Sequence, residues 1–220
     1  MARKKNGSKG NDREVLHVGL LVDESGSMNP IAPAVIAGIN EFIGDLKADP
    51  SETTAIRASL AMFDLRGGER PVRVRFSDLP IERVRQIGPS EYQPHGSTPL
   101  NDAVMRTIDA FDKRASRGER VMIVVLTDGL ENASETPTSK LRKEVLEREA
   151  AGWEFIYLGA NQDTWAATEG IGLDRRGKHF GWEASGPGVA AALKVSGSRV
   201  KRFRDAPEEY RLESVRLADS

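Results

Sequence analysis

The sequence predicts an α/β protein with a doubly wound, mostly parallel central sheet, one antiparallel edge strand and helices on both faces. Three observations predict it. Apolar runs of strand length alternate along the chain with stretches of helical periodicity, the order that builds a parallel sheet covered by helices. Two of those runs, "VLHVGLLV" and "RVMIVVLTDG", are nearly continuous in Val, Leu and Ile, as strands buried on both faces require. The chain of 220 residues, 39% hydrophobic and 30% charged, is long enough for one domain with a substantial core.

Residues 1–12 are rich in Lys, Gly, Ser and Asn and read as a disordered basic tail. The first strand is expected near 15–22. A helix follows over 31–47, with Ile31, Val35, Ile39, Phe42, Ile43 and Leu46 spaced by threes and fours into one stripe. "TTAIRASLAMFD" (53–64) is the second strand, "RGGER" (66–70) a turn and "PVRVRFS" (71–77) an alternating strand that can return antiparallel. Arg73 and Arg75 on that strand read first as protection of an exposed edge and second as a partner patch. "LPIERVRQI" (79–87) suggests a short helix. The second long helix opens in "GSTPLNDAV", where Thr98 before Pro99 fits a cap followed by proline in the first turn, and Leu100, Val104, Ile108 and Phe111 face inward.

"RVMIVVLTDG" (120–129) is the most hydrophobic run and so the expected centre of the sheet. A helix at 138–150 buries Leu141, Val145 and Leu146 and stops at Gly152. "WEFIYLGA" (153–160) is a strand, "DTWAATEGIG" a short helix, "KHFGWEA" (178–184) a short edge strand and "GPGVAAALKVSGSRV" (186–200) the last helix. The domain therefore spans 13–204, and 205–220 is a charged C-terminal tail. Right-handed parallel crossovers make the whole a Rossmann-like layer sandwich, which binds ligands at the C-terminal ends of its strands.

Composition narrows the function. The formal net charge of −1 gives no field that would recruit nucleic acid or an anionic membrane. With no cysteine, disulfides, thiolate catalysis and zinc–thiolate sites are excluded. The basic N-terminus precedes only about seven apolar residues with no small-residue cleavage site, so no signal peptide is expected. No apolar run approaches the ~20 residues of a membrane span. A cytoplasmic location is the expectation.

Against that background, three distant loops converge on one edge of the sheet. Asp23, Ser25 and Ser27 follow the first strand in "DESGSM", Thr98 enters the second long helix, and Asp128 follows the central strand. Two carboxylates and three hydroxyls, with no His, Cys or Lys, form a hard-oxygen set suited to Mg2+, with Mn2+ or Ca2+ as substitutes. Because hydroxyls are neutral, an ion held this way keeps much of its charge and seeks another anionic oxygen.

These residues resemble the metal-ion-dependent adhesion site of the von Willebrand factor A domain. That site pairs Asp-x-Ser-x-Ser after the first strand with a Thr in a later loop and an Asp after the fourth strand; Asp23, Ser25, Ser27, Thr98 and Asp128 match it in order. The resemblance covers roughly 13–204. "GSTPLNDAV", "LTDGLENAS" and "FIYLGANQDTWAATEGIG" are similar to small stand-alone bacterial A-domain proteins of the tellurium-resistance and stress-associated type. It implies a Mg2+-dependent protein-binding module whose partner protein supplies an Asp or Glu carboxylate, and it implies no catalysis. It also makes the last helix a candidate moving element.

Plainer readings stand beside these. Asp23 and Asp128 could serve as turn residues, and Ser27 and Thr98 as helix caps. Glu24 points sideways in the motif and could stand in the second shell or at the rim of the site, but reads rather as solvated. Asp64 could rim the site but reads rather as a loop residue. Asp102 either orients the Thr98 loop or complements its helix dipole. His95 could lie at the rim, and His17 and His179 read as structural or exposed. Trp153, Trp165 and Trp182 read as core.

Three other functions are weaker. A phosphoryl-transfer enzyme of the haloacid-dehalogenase type needs a second Asp where Ser25 stands, and a phosphate-balancing Lys. Serine hydrolysis lacks the Gly-x-Ser-x-Gly elbow. A scaffold with a purely structural metal would need no free coordination position.

Overall fold

The computed structural model describes residues 13–66, 71–115, 119–160 and 179–207. The strands are β1 (Glu14–Asp23), β2 (Thr54–Phe63), β3 (Val72–Pro80), β4 (Arg120–Thr127), β5 (Glu154–Ala160) and β6 (His179–Trp182). The helices are α1 (Ala32–Lys47), α2 (Leu100–Ala115), α3 (Thr138–Ala150) and α4 (Gly186–Asp205), with 3-10 turns at Gly26–Ile31 and Ile81–Arg83. The sheet order is β3-β2-β1-β4-β5-β6, and among the described strands β3 alone runs antiparallel to its neighbour. This is the fold class expected from the sequence, with β1 and β4 at its centre.

Alternation along β1 explains the two cores. Leu16, Val18, Leu20 and Val22 point to one face and pack with Val35, Ile39 and Phe42 of α1 and Val189, Leu193 and Val200 of α4. Leu21 points to the other face, among Leu100, Val104, Ile108 and Phe111 of α2 and Leu141 and Val145 of α3. Both central strands are covered on both sides, which is why they read as continuous apolar runs. Truncating one fully buried residue such as Ile39 to Ala would cost about 2–5 kcal/mol.

The structure corrects several local expectations. The helix expected over 79–87 is instead the end of β3 followed by one 3-10 turn. The β2–β3 register shifts near Leu60, and Asp78 takes a left-handed φ of 57° with its N–H donating to Ser59 Oγ at 2.9 Å. Beyond the turn, Asn40 of α1 holds Ile87 extended: its Nδ2 donates to the Ile87 carbonyl and its Oδ1 accepts from the Ile87 N–H, both at 2.9 Å. Helix α1 begins after a 3-10 turn containing Pro30. Helix α4 runs past Val200 to Asp205, because buried Arg204 donates to Asp49 and pins the last turn. The short helix expected at "DTWAATEGIG", Trp165 and the basic tail lie outside the described residues, as do 208–220. Among the described residues no helix is long and apolar enough to cross a membrane.

Candidate metal centre

Strand β1 ends on Asp23, beside the end of β4, because Val22 pairs with Leu126 and the next residues are Asp23 and Thr127. The Asp23 carboxylate is fully buried. Its Oδ1 accepts from the Ser25 N–H at 2.8 Å and its Oδ2 from the Thr127 hydroxyl at 2.5 Å. Ser25 is extended and starts the 3-10 turn, whose tight curvature brings Ser25 Oγ to 3.1 Å from Ser27 Oγ. Ser27 Oγ in turn donates to Asp128 Oδ1 at 2.7 Å. Gly129 forms the adjoining wall: a Cβ there would lie 3.2 Å from Thr98 Oγ1 and 3.9 Å from Asp23 Oδ2. The five candidate residues thus meet at one end of the sheet. Ser27 does not cap α1, and the first amides of α2 are satisfied by Glu131 and Ser134 rather than by Thr98.

The electrostatics of this cluster are unusual. Among the described residues, no Lys, Arg or His pairs with Asp23 or Asp128. Burial pushes the Asp23 carboxyl from 3.8 up to about 6; the bonds from Thr127 and Ser25 pull it down, and the charge of Asp128 pushes it up. Burial also raises Asp128, against the bond from Ser27. Tyr92 donates its hydroxyl to the Asp23 carbonyl at 2.7 Å, and burial followed by the nearby carboxylates raises its pKa. No group of three or more His, Cys, Asp or Glu able to hold a metal occurs among the described residues; the oxygens gathered here are two carboxylates and several hydroxyls. Two poorly balanced carboxylates among hydroxyl oxygens fit a small hard divalent cation.

Two loops are fastened around the cluster. Asn132 brackets Thr98, its Oδ1 accepting from the Thr98 N–H at 2.9 Å and its N–H donating to the Thr98 carbonyl at 3.2 Å. Glu131 accepts from the Asn101 N–H at 2.7 Å. Asp102 does more than complement a dipole. It accepts from the N–H groups of Glu135 and Thr136, at 3.0 and 2.9 Å; burial pushes its carboxyl up, but the Thr136 side chain, these two amides and the charge of Arg106 together hold it below the ordinary range. On the other side Gly96, at φ +77°, lets the chain pass the Leu65 carbonyl, where a Cβ would come within 2.3 Å.

Glu24 is the clearest correction. It is fully buried, not solvated, and its carboxylate takes Arg73 Nη2 and the Gln93 N–H. Asp64 is also buried, between Arg66 and Arg73. Arg73 is therefore an internal counter-ion rather than an edge guard, and Arg75 donates to the Glu91 carbonyl. His95 is exposed at the rim, with its N–H donating to the Glu24 carbonyl at 2.7 Å. His17 is buried, with Nε2 2.7 Å from Glu119 Oε2. Trp153 and Trp182 are core residues. Sequence reasoning missed Thr127, Tyr92, Glu131 and Asn132; the polar run "LENAS" after Asp128 was the available signal for the last two.

The von Willebrand factor type A domain family matches residues 17–185. No curated protein matches the chain by sequence. Among solved structures, the pilus adhesin SpaC from Lactobacillus rhamnosus GG, in an open conformation, superposes with a TM-score of 0.62 at 16% identity, over 88% of this chain and 31% of the adhesin. The von Willebrand factor domain of the type V pili tip protein Mfa5 from Porphyromonas gingivalis gives 0.61 at 13% identity, over 89% of this chain and 98% of that domain. The ArnB paralog VWA2 from Sulfolobus acidocaldarius gives 0.54 at 15% identity, over 82% and 44%. At these identities the likeness shows the fold. The chain spans about a third of the adhesin and less than half of the Sulfolobus protein.

Proposed function

The chain belongs to the von Willebrand factor type A domain family, whose members are mainly adhesion and interaction modules, and from that premise we propose that it is a Mg2+-dependent protein-binding module. Asp23, Ser25, Ser27, Thr98 and Asp128 would hold the ion. When bound, it supplies a positive centre able to take an Asp or Glu carboxylate from the partner protein. The observation that carries the reading is the buried Asp23 carboxylate, surrounded by hydroxyls and without a basic partner among the described residues.

The chain's own residues do the rest. Asp23 and Asp128 provide charge, the serines and Thr98 provide neutral oxygens, and Thr127 and Tyr92 fix Asp23 by its side chain and its carbonyl. Ser27, Gly96 and Ser97 are exposed, which places the cluster within reach of another molecule. The same residues do not support phosphoryl transfer, since Ser25 stands where that chemistry needs an acid/base carboxylate. Within the family, "GSTPLNDAV" and "LTDGLENAS" support the stand-alone bacterial, stress-associated type. The cysteine-free composition supports a cytoplasmic location.

Capture of a partner from native lysate tests the proposal. It is expected in Mg2+, abolished by EDTA, abolished by Asp23→Ala and competed by Asp-containing peptides. Capture unchanged by EDTA would reject it, and Mg2+ uptake without any metal-dependent capture would favour a purely structural ion.

A further inference from the structure

We infer that Glu24 and Arg73 are positioning residues for the metal centre: their buried ion pair ties the edge strand β3 to the 91–98 loop and thereby fixes where Thr98 stands. The inference rests on the metal reading above.

Glu24 follows Asp23, but its carboxylate bonds Arg73 and the 91–98 loop rather than the hydroxyls beside Asp23. One carboxylate oxygen pairs with Arg73 Nη2 and the other accepts from the Gln93 N–H. Its backbone works in the same direction: the Glu24 carbonyl accepts from the His95 N–H at 2.7 Å, and the Glu24 N–H donates to the Phe63 carbonyl at 2.8 Å. Arg73 extends a second nitrogen to Asp64 Oδ1 at 3.0 Å. Arg66 completes the group, its Nε donating to Asp64 and its Nη2 donating to the Gln93 carbonyl at 2.5 Å. Two carboxylates and two guanidiniums thus close a neutral cluster, with both Glu24 and Asp64 buried. Charge-assisted bonds of this kind are directional and stronger than neutral ones.

What the cluster grips is the backbone that leads to Thr98. Gln93 is held at its N–H by Glu24 and at its carbonyl by Arg66. His95 is held by Glu24, Gly96 accepts from the Gly26 N–H at 3.0 Å, and Ser97 bridges Leu65. Thr98 comes next, held from the opposite side by Asn132. Packing alone would stabilise the fold as well as a buried ion pair does. Two of the four charged groups, Glu24 and Arg66, grip the Gln93 backbone while Arg73 and Asp64 hold those two, an arrangement that serves placement; outer residues that orient a metal's ligands typically change its affinity about 10- to 100-fold.

The experiment is a calorimetric titration with MgCl2, paired with thermal unfolding, on the full chain and the variants E24Q, R73A and R148A. E24Q keeps the shape of Glu24 and carries the test alone if R73A does not fold. R148A breaks the Arg148–Asp112 pair between α2 and α3, on 2.7 Å contacts away from the centre. The expected result is an affinity about 10- to 100-fold weaker in E24Q and R73A, with R148A lowering Tm but leaving Mg2+ affinity within about twofold. Uptake by the wild type that E24Q and R73A leave within twofold overturns the inference while sparing the metal reading. A parallel loss in R148A also overturns it, because any loss of stability would then suffice. A wild type that takes up no Mg2+ overturns the metal reading and this inference together.

Discussion

Asp23 and Glu24 are neighbours in sequence and both are 0% exposed, yet the protein treats them in opposite ways. Glu24 is paired with Arg73, with Arg66 close by, and sits in a cluster whose charges cancel. Among the described residues Asp23 receives only an amide and a hydroxyl, and the charge that bears on it is that of another carboxylate, Asp128. Burying an unbalanced carboxylate is costly, and a chain able to supply guanidinium to one residue could have supplied it to the next. The difference teaches that charge is completed internally on the Glu24 side and not on the Asp23 side, which is what the proposed cation site at Asp23 requires.

The contrast breaks most visibly on the balanced side. Arg73→Ala leaves Glu24 and Asp64 short of a counter-ion and is expected to destabilise the protein by about 3–5 kcal/mol, the usual cost of removing one partner of a buried pair. Urea unfolding reads this directly. A loss below about 1 kcal/mol would mean that the two carboxylates are not balanced as described.

A somewhat smaller effect, of opposite sense, is expected on the Asp23 side. The folded state raises the Asp23 pKa from 3.8 to about 6, so the metal-free folded protein holds that proton more tightly than the unfolded chain does. Its stability contribution is full below about pH 4 and is lost as pH rises through about 6, amounting to about 3 kcal/mol. Asp23→Asn should remove that pH dependence. The amide can donate to Thr127 Oγ1, whose own hydrogen can turn to the Gly129 carbonyl 3.2 Å away. In EDTA at pH 7.5 the variant should therefore be more stable than the wild type, and at pH 4 about equal to it. A wild type that gains stability relative to D23N between pH 4 and 7 would contradict this.

The smallest effect is expected at the rim. His95→Ala removes an exposed side chain and leaves its backbone N–H on the Glu24 carbonyl, so stability should change by less than about 0.5 kcal/mol. Mg2+ affinity should not change. A large loss in either would place the imidazole in one of the two clusters.

The unbalanced half of this comparison was legible in the sequence because its chemistry is carried by residue type at the ends of strands. Asp23, Ser25 and Ser27 lie within one loop, and Asp128 ends the most apolar run, so strand order alone brings them together. The balanced half was not legible. Arg73 lies 49 residues from Glu24 and reaches it only because β3 returns antiparallel beside β2. Seen in sequence, an Arg alternating with Val on a lone strand looks the same whether it guards an edge or neutralises a buried Glu. The segment 79–87 misled for a related reason. Its helical spacing is real, but Asn40 offers Ile87 a strand-like pair of hydrogen bonds, a tertiary contact that local propensity does not encode. Helix α4 was read short because its apolar stripe ends at Val200, whereas its last turn is fixed by the charged contact of Arg204 with Asp49.

The most direct test uses Mn2+ as the reporter for the Asp23 cluster, through water-proton relaxation of the protein at neutral pH. One Mn2+ bound per chain, with relaxation enhanced by exchanging water and the enhancement lost when a carboxylate-bearing peptide is added, is the expected result. Absence of binding, or a bound ion with no exchanging water, would contradict the claim that these oxygens hold a cation open to a partner.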